Sequence, residues 1–214
     1  MSSVRVHNFC VSLDGFAAGP DQSETDPMGV RGGTIHEWVW NTRFGQAMIG
    51  QEGGSTGIDD AWLRLGVVNI GATVMGRNMF GPIRGEWPDE SWVGWWGGEP
   101  PFHHQVFVLT HYARPALELA GGTTFHFVTD GLDSALRQAT EAAAGRDVRI
   151  GGGVATVREA LRRGLVDELH VPVVPVLLGS GERLWEDVGT WPQGYACTQI
   201  ESSEAVAHLR FERA

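Results

Sequence analysis

Lysine is absent from this chain: all sixteen of its basic side chains are arginines. Without lysine, the chain offers no side-chain amine for a Schiff base and no lysine general base. Any anion has to be bound by arginine, histidine or backbone N–H groups, and the planar guanidinium of arginine suits phosphate well. The sequence therefore excludes lysine-based catalysis and leaves phosphate recognition to arginine.

Cysteine is scarce as well. Cys10 and Cys197 are the two cysteines, they lie far apart and they lack metal-type spacing, so we expect both to be reduced and buried. No other set of histidine, cysteine or acidic residues has convincing metal-ligand spacing, and no Ser-His-Asp or Cys-His arrangement stands out. We therefore predict no metal site and no nucleophilic triad.

Long apolar runs and an excess of positive charge are missing too. No run approaches the roughly 20 residues that span a bilayer, and residues 1–10 lack the basic and apolar segments of a secretory signal. The formal net charge of −10 argues against nucleic acid or an anionic membrane as a partner. We expect a cytoplasmic protein whose partner is a small-molecule substrate.

The 214 residues contain short apolar strands that alternate with helical patterns. The pattern predicts a strand at 4–12, a helix at 35–49 and a second helix starting near 58. It continues with strands at 72–75, 105–110, 124–129, 147–150 and 165–179 and with helices at 131–145 and 154–161. The pattern ends in a hairpin at 195–213. Pro172 and Pro175 suggest an edge strand or a bulge. We predict one domain, 1–214, built as a three-layer α/β/α sandwich on a mixed, mostly parallel sheet.

Three similar corners follow three of the predicted strands: "MGRN" at 75–78, "LTHYAR" at 109–114 and "IGGGVAT" at 150–156. They offer arginine, hydroxyl and histidine side chains and bare backbone N–H groups. Each corner by itself is more often structural, because glycine also serves tight turns and close backbone packing. Since open α/β sheets bind ligands at the carboxyl ends of their strands, the three together predict one site for a ligand with several phosphates.

These segments carry a family resemblance. In order, "ATVMGRNMFG", "VFVLTHYARP" and "VRIGGGVATVREAL" resemble the three NADPH-binding segments of the dihydrofolate reductase fold. With "VSLDGFAAGP" and "LRRGLVDELHVPVVPVLLGSGERLW", the chain resembles the reductase domain of riboflavin biosynthesis, the C-terminal domain of bacterial deaminase–reductases, in a stand-alone form. The resemblance covers residues 4–20 and 57–213.

The resemblance implies NADPH as the cofactor and assigns residues to it. Arg77 and Asn78 would contact phosphates, Thr110, His111 and Arg114 would surround the 2′-phosphate, and the glycine-rich corner would receive the pyrophosphate. The alternative for Arg114 is an ordinary surface arginine. The cofactor-binding residues implied are Gly76, Arg77, Asn78, Thr110, His111, Arg114, Gly151, Gly152, Gly153, Val154, Ala155 and Thr156.

Three acidic residues are candidates for the catalytic end. In dihydrofolate reductases a helix carboxylate lies 17 residues before the arginine of the "MGR" corner, and Asp60 stands at that spacing here. A helix-capping role for Asp59 or Asp60 is the alternative. Asp14 lies in the loop that the resemblance places beside the nicotinamide, although it also suits a turn before a glycine. Glu182 follows a glycine turn and could touch substrate or be a surface acid.

Two inserted segments, about 20–57 and 82–104, depart from the pattern of a minimal dihydrofolate reductase. The second contains Trp87, Trp92, Trp95 and Trp96 with glycines between them. It could be a lid that closes over a flat ring or a dimer contact. Because these segments depart from the family pattern, the sequence does not identify the substrate.

We therefore predict an NADPH-dependent reductase of the riboflavin-reductase type, a homodimer by family analogy. It would transfer hydride to a C=N or C=O of a small heterocycle or ribose-like carbonyl, as 5-amino-6-(5-phosphoribosylamino)uracil reductases do. A non-catalytic nucleotide- or ligand-binding protein and a tailoring reductase of secondary metabolism are the alternatives.

Overall fold

The structure is a computed structural model, and it describes residues 2–81, 84–189 and 194–214. In chain order the strands are β1 (Val4–Val6), β2 (Val11–Ser12), β3 (Phe16–Ala18), β4 (Ile70–Gly76), β5 (Gln105–Leu109), β6 (Leu117–Glu118), β7 (Thr124–Val128), β8 (Asp147–Gly152), β9 (Glu168–Val174), β10 (Glu182–Arg183), β11 (Tyr195–Ser202) and β12 (Ala207–Arg213). The α-helices are α1 (Glu37–Trp40), α2 (Arg43–Met48), α3 (Ile58–Leu65), α4 (Arg77–Phe80), α5 (Leu132–Ala143) and α6 (Val154–Arg162).

One large sheet organises the chain, with strands in the order β11-β12-β9-β1-β8-β4-β5-β7-β6 and with β2 also paired to β9. The six strands from β9 to β7 run parallel. β12 and β11 add an antiparallel hairpin at one end, and β6 is antiparallel at the other. β10 and β3 form a separate two-stranded sheet. The predicted mixed, mostly parallel sheet and the C-terminal hairpin are confirmed.

Helices α5 and α6 cover one face of this sheet. Their apolar positions recur at helical spacing, so that Ala139 of α5 and Val157 of α6 join one core with Val74, Ile150 and Leu169 of the strands. The remaining strand residues point to the opposite face because successive side chains alternate. That face therefore needs a second covering layer.

The opposite face is covered in two halves. Helix α1 and helix α3 pack over the β9 and β12 side, where Trp62 stacks on His170 with ring centroids 4.3 Å apart. Over β4, β5 and β7 the cover is the tryptophan-rich segment, whose half-buried indoles pack on Phe80 and Phe125. These three layers confirm the predicted α/β/α class. The segment's predicted start, 82–83, lies outside the described residues.

Two predicted elements are divided in the structure. The helix expected at 35–49 is a 3₁₀ turn (Gly32–His36) followed by α1 and α2, because Thr42 adopts an extended conformation and caps α2 through Oγ1, which accepts the Gly45 N–H at 3.0 Å. The strand expected at 4–12 breaks between β1 and β2, where Asn8 has a φ of 56°. Both breaks arise from polar residues that favour turns and caps.

The predicted edge position at Pro172 is wrong, but the predicted bulge has a counterpart, because residues 6–11 contain one residue more than residues 169–173 opposite them. β9 lies inside the sheet, between β12 on one side and β1 and β2 on the other. β9 pairs with β1 as far as Leu169 and with β2 from Val173 onward, and Pro172 lies between these two paired stretches. A residue without an N–H is tolerated there because that stretch has no ladder partner on that side.

The two cysteines are both free thiols, as predicted. Cys10 is buried, but Cys197 is exposed on the terminal hairpin, so the prediction that both are buried is wrong for Cys197. β11 is the end strand of the sheet, which leaves its side chains open to solvent. Among the described residues, no helix has the length and apolarity that crossing a bilayer requires.

Candidate functional site

The three corners leave neighbouring strands at one edge of the sheet. β8, β4 and β5 are consecutive in the sheet and parallel, and their register places Met75 opposite Gly152 and Gly76 opposite Leu109. Neighbouring strands lie roughly 4.8 Å apart, so the three corners fall within roughly 10 Å across the sheet. The sequence-predicted corners therefore form one continuous edge.

The triple glycine joins the end of β8 to the start of α6. β8 extends through Gly152, which has a φ of 143°, and Gly153 is the N-cap of α6. The Gly152–Gly153 peptide is cis. The first N–H groups of a helix have no intrahelical acceptor, so the amides that begin at Val154 are available to an anion.

Glycine at position 76 allows β4 to approach α6 closely. A Cβ on Gly76 would lie 2.6 Å from Oγ1 of Thr156. Beside it, Met79 of α4 lies against the glycines, since a Cβ on Gly151 would be 3.2 Å from its Cε. The "MGR" and triple-glycine corners are thus in contact, and side chains larger than hydrogen would push them apart.

Arg77 begins α4 at this edge. Its Nη1 donates to the Gly85 carbonyl at 2.5 Å and to Thr110 Oγ1 at 3.4 Å, and its guanidinium carbon lies 3.7 Å from the Trp87 ring centroid. Its Nε and Nη2 are buried and have no hydrogen-bond partner. Burial lowers the pKa of Arg77 from its usual value. The side chain presents a cation with unused donors.

Arg114 contacts Trp87 as well. Its guanidinium carbon is 5.1 Å from that ring and 5.1 Å from the Phe127 ring, and its Nη2 donates to the Glu90 carbonyl at 2.7 Å. Its Nη1 is buried without a partner. Among the ion pairs of the described residues, none includes Arg77 or Arg114. One nitrogen of the Arg114 guanidinium is therefore buried without an acceptor, while its part in cofactor binding stays a prediction.

The remaining predicted cofactor residues lie around these arginines. Thr110 is buried and its Oγ1 accepts the Tyr112 N–H at 3.2 Å. Asn78 Oδ1 accepts a hydrogen bond from Arg84 Nη1. His111 is exposed, as is Ala155 in the first turn of α6. The structure brings these side chains to one edge, while their part in binding stays a prediction.

Two clefts flank this edge. One, of about 500 Å³, is lined by Arg114, Ala116, His126, Phe127, Val128, Thr129, Asp130 and Gln138 at the carboxyl end of β7. The other, of about 330 Å³, is lined by Val11, Ser12, Leu13, Asp14, Gly15, Val173, Arg183 and Trp185 around β2. A ligand that crosses the edge would have room at both ends.

Asp14 lines the second cleft, but its oxygens are already engaged. Oδ1 accepts from Ser12 Oγ at 2.6 Å and from the Leu178 N–H at 3.1 Å, and Oδ2 accepts from the Gly179 N–H at 2.7 Å. Burial opposes ionisation, but these hydrogen bonds outweigh it and lower the pKa of Asp14 to about 2. Its turn-forming role is visible, and a catalytic role stays a prediction.

Asp60 is engaged as well. The residue is only 4% exposed. Oδ1 accepts the Phe44 N–H at 2.6 Å, and Oδ2 accepts from Arg64 Nε at 2.7 Å. Burial favours the neutral form, but these partners outweigh it and lower the pKa. Asp60 thus ties α3 to the start of α2, a contact that the sequence did not reveal. Glu182 lies on β10, opposite Ala18 of β3, and is half-buried.

A buried hydrogen-bonded chain lies beneath α3. The Asn8 N–H donates to His170 Nδ1 at 3.2 Å, which leaves His170 Nε2 to donate to His208 Nδ1 at 3.1 Å. His208 Nε2 then donates to Asp59 Oδ1 at 2.9 Å. His170 is thus a hydrogen-bonded histidine inside a strand. The sequence did not reveal the chain, because it shows only one histidine in each of the two strands, His170 in β9 and His208 in β12.

Comparisons with known proteins gave a family match and structural neighbours. A family model of the RibD C-terminal domain matches residues 5–207. The search of curated proteins gave no match. A riboflavin biosynthesis protein of Shewanella sp. PV-4 is 18% identical with a TM-score of 0.63, and the alignment covers 100% of this chain and 99% of that one.

Two further solved structures share the fold. Dihydrofolate reductase of Enterococcus faecalis, complexed with NADP(H) and RAB-propyl, is 14% identical over 99% of this chain and 96% of its own, with a TM-score of 0.51. A pyrimidine reductase-like protein of Corynebacterium diphtheriae is 14% identical over 100% and 92%, with a TM-score of 0.53. At these identities the likeness is one of fold.

Proposed function

This chain belongs to the RibD C-terminal domain family, and on that premise we propose that it is an NADPH-dependent reductase that reduces a small heterocyclic or ribose-like substrate. The family and the dihydrofolate reductase-like fold support a reductase-type enzyme of the riboflavin-pathway kind. The finer assignment to NADPH depends on the edge formed by β8, β4 and β5.

The observation that carries the proposal is the pair of arginines at that edge. Among the described residues neither Arg77 nor Arg114 forms an ion pair, although the carboxylates of Asp89 and Glu90 act on the charge of Arg114 from farther away. Three nitrogens of the two arginines are buried without an acceptor. Buried donors that lack an acceptor are costly, so a ligand that supplies oxygen atoms fits them. A dianionic phosphate ester offers such oxygens in the geometry that guanidinium groups prefer. These donors support a 2′-phosphorylated dinucleotide over one with a free ribose.

The residues present fit the rest of such a cofactor. The first-turn amides of α6, at Val154, Ala155 and Thr156, would hold its diphosphate. The close packing of Gly76 against Thr156 keeps those amides at the edge. The cleft beside Arg114 would take one end and the cleft at β2 the other. When bound, the cofactor would supply hydride to the substrate.

The chain's own part in the reaction is then alignment and exclusion of water. Asp14 and Asp60 both have lowered pKa values, so each stays ionised near neutral pH and accepts hydrogen bonds instead of donating a proton. Where the reduction requires a proton, we therefore propose water as its source. Asp14 and Glu182, near the cleft at β2, remain our candidates for contacting substrate.

The test is the Arg77→Ala variant. Losing the guanidinium should weaken NADPH binding roughly ten- to hundredfold, because hydrogen bonds between charged groups contribute about 1.5–3 kcal/mol. NADH binding should change far less. Binding is measured by isothermal titration calorimetry for both cofactors, which does not depend on knowing the substrate.

The matched control is Arg162→Ala, because Arg162 is an exposed arginine in the last turn of α6. This variant should bind NADPH like the wild type. Equal losses of NADPH and NADH affinity in Arg77→Ala would contradict the assignment of the 2′-phosphate to Arg77. NADPH binding without oxidation by any pteridine, pyrimidine or quinone-like acceptor would favour a non-catalytic binding protein.

We also propose that the chain forms a homodimer, by analogy with the family. Sedimentation equilibrium gives the mass directly. A mass of twice 23.2 kDa supports the proposal, and a mass of 23.2 kDa across micromolar concentrations contradicts it.

A further inference from the structure

The segment 84–90, which we name the strap, contacts the same side chains that the proposed function assigns to the adenosine end of the cofactor. Arg84 donates to Asn78, Arg77 donates to the Gly85 carbonyl, and Arg114 donates to the Glu90 carbonyl. Trp87 Nε1 donates to the Tyr112 carbonyl at 2.9 Å. The strap is therefore anchored at four points to the edge.

Trp87 is the centre of this arrangement. Two guanidinium groups contact its ring, with the guanidinium carbon of Arg77 3.7 Å and that of Arg114 5.1 Å from the ring centroid. The same ring also meets Phe127 at 5.4 Å and Phe80 at 6.0 Å. The indole thus lies against both arginines, where it would compete with a phosphate that binds to the two of them.

The strap satisfies these arginines poorly. It offers two backbone carbonyls and one aromatic face, whereas Arg77 Nε, Arg77 Nη2 and Arg114 Nη1 stay buried without acceptors. Its carboxylates Asp89 and Glu90 act on the charge of Arg114 from a distance, but neither they nor Glu86 forms an ion pair with either arginine. An anion with several oxygens would satisfy the donors better than the strap does, so the two compete for one position.

We propose that the strap is an autoinhibitory segment: Trp87 occupies the position of the cofactor's 2′-phosphate in the free protein, and the phosphate displaces it on binding. This inference rests on the proposed function. It goes beyond it, because it concerns what occupies this corner before the cofactor binds. The strap lowers the apparent affinity of every ligand that binds at this corner. The apparent affinity is the intrinsic affinity multiplied by the fraction of molecules in which the strap is open.

The test compares Trp87→Ala with wild type, using adenosine 2′,5′-bisphosphate as the probe. Two cation–π contacts hold the strap closed, and their loss should tighten binding of the probe roughly three- to tenfold. Nicotinamide mononucleotide, which has no adenosine end, should bind both proteins equally. The control variant is Trp95→Ala, whose ring contacts Trp92 at 4.9 Å within the same segment of the chain. It should leave both affinities unchanged.

A second measurement needs only the wild type. Hydrogen–deuterium exchange at the amides of 84–90 should speed up when adenosine 2′,5′-bisphosphate is added, because the ligand releases the strap. Slower exchange there, or weaker or unchanged probe binding by Trp87→Ala, would overturn the proposal and make Trp87 part of a preformed site. Absence of probe binding to both proteins would overturn the strap and the proposed function together.

Discussion

At the scale of single residues, the most informative feature of the site is a set of buried arginine nitrogens without hydrogen-bond partners. Most buried polar groups of a folded protein have a partner, so the three orphaned nitrogens of Arg77 and Arg114 are informative. Asp60 shows the opposite case. Both of its oxygens are satisfied inside the protein, by the Phe44 amide and by Arg64. The contacts favour phosphate binding at the arginines and a structural role for Asp60.

Asp60→Asn tests that role. The new amide places a donor where a donor already points, at Phe44 or Arg64, so the variant should lose about 1–3 kcal/mol of unfolding free energy. Urea denaturation measures the loss. Asp133→Asn is the control, since the Asp133 side chain is 70% exposed and its surface pair with Arg163 should contribute nothing measurable. Full stability of Asp60→Asn with lost reductase activity would instead support the catalytic prediction.

At the scale of elements, the contact between β4 and α6 decides whether the edge stays continuous. In Gly76→Ala the new Cβ would lie 2.6 Å from Thr156 Oγ1. The Thr156 side chain or the start of the helix must then move, at a cost of about 1–3 kcal/mol in stability, and NADPH affinity should fall with it. Calorimetric melting and cofactor titration report both effects.

Gly33→Ala is the matched control, because a Cβ on Gly33 meets no atom within 4 Å. Its melting temperature and NADPH affinity should match those of the wild type. If Gly76→Ala behaved like Gly33→Ala, the packing of β4 against α6 would not be what positions the amides of the helix.

Element patterns along the chain also explain what the sequence could and could not predict. Strands such as β4 and β5 were predictable because they are largely apolar and buried, as in parallel sheets. The corners after them were predictable because such strands share a carboxyl edge. The tryptophan-rich segment was predicted as a lid or an interface, yet Trp92 and Trp96 pack in a core on Phe80 and Phe125. Irregular segments have no period from which their partners can be deduced.

The sequence also could not predict the pairing of Asp60 with α2 or the hydrogen-bonded chain from His170 to Asp59. Each joins residues separated by 16 to 149 positions. Such contacts follow from the packing of whole elements, which sequence spacing does not encode. The Cys197 and Pro172 errors have the same origin, because exposure and edge position depend on strand order.

At the scale of the whole molecule, buried histidines couple stability to pH. His170 and His208 are fully buried, and burial lowers the pKa of His170 to about 2 and that of His208 below its usual value. Below pH 6.5 the unfolded chain binds protons that the folded chain does not. Stability should therefore fall as the pH drops from 7.5 to 5, by up to about 1.4 kcal/mol per pH unit for each such histidine.

Urea denaturation at pH 7.5, 6.5 and 5.5 measures this dependence. The unfolding free energy should be nearly constant between pH 8 and 7 and should decrease below 6.5. His36 and His104, whose pKa values burial lowers to about 4, act in the same direction. A stability that rises on acidification would show that these imidazoles gain protons in the folded state.

The whole account depends on a nucleotide lying across the carboxyl edge of the sheet, from the cleft beside Arg114 to the cleft at β2. A crystal structure of the chain with NADPH tests this most directly. We predict its diphosphate on the amides that begin at Val154 and its 2′-phosphate between Arg77 and Arg114, with Trp87 moved aside. A cofactor bound elsewhere, or an edge still closed by Trp87 at saturating NADPH, would contradict the account.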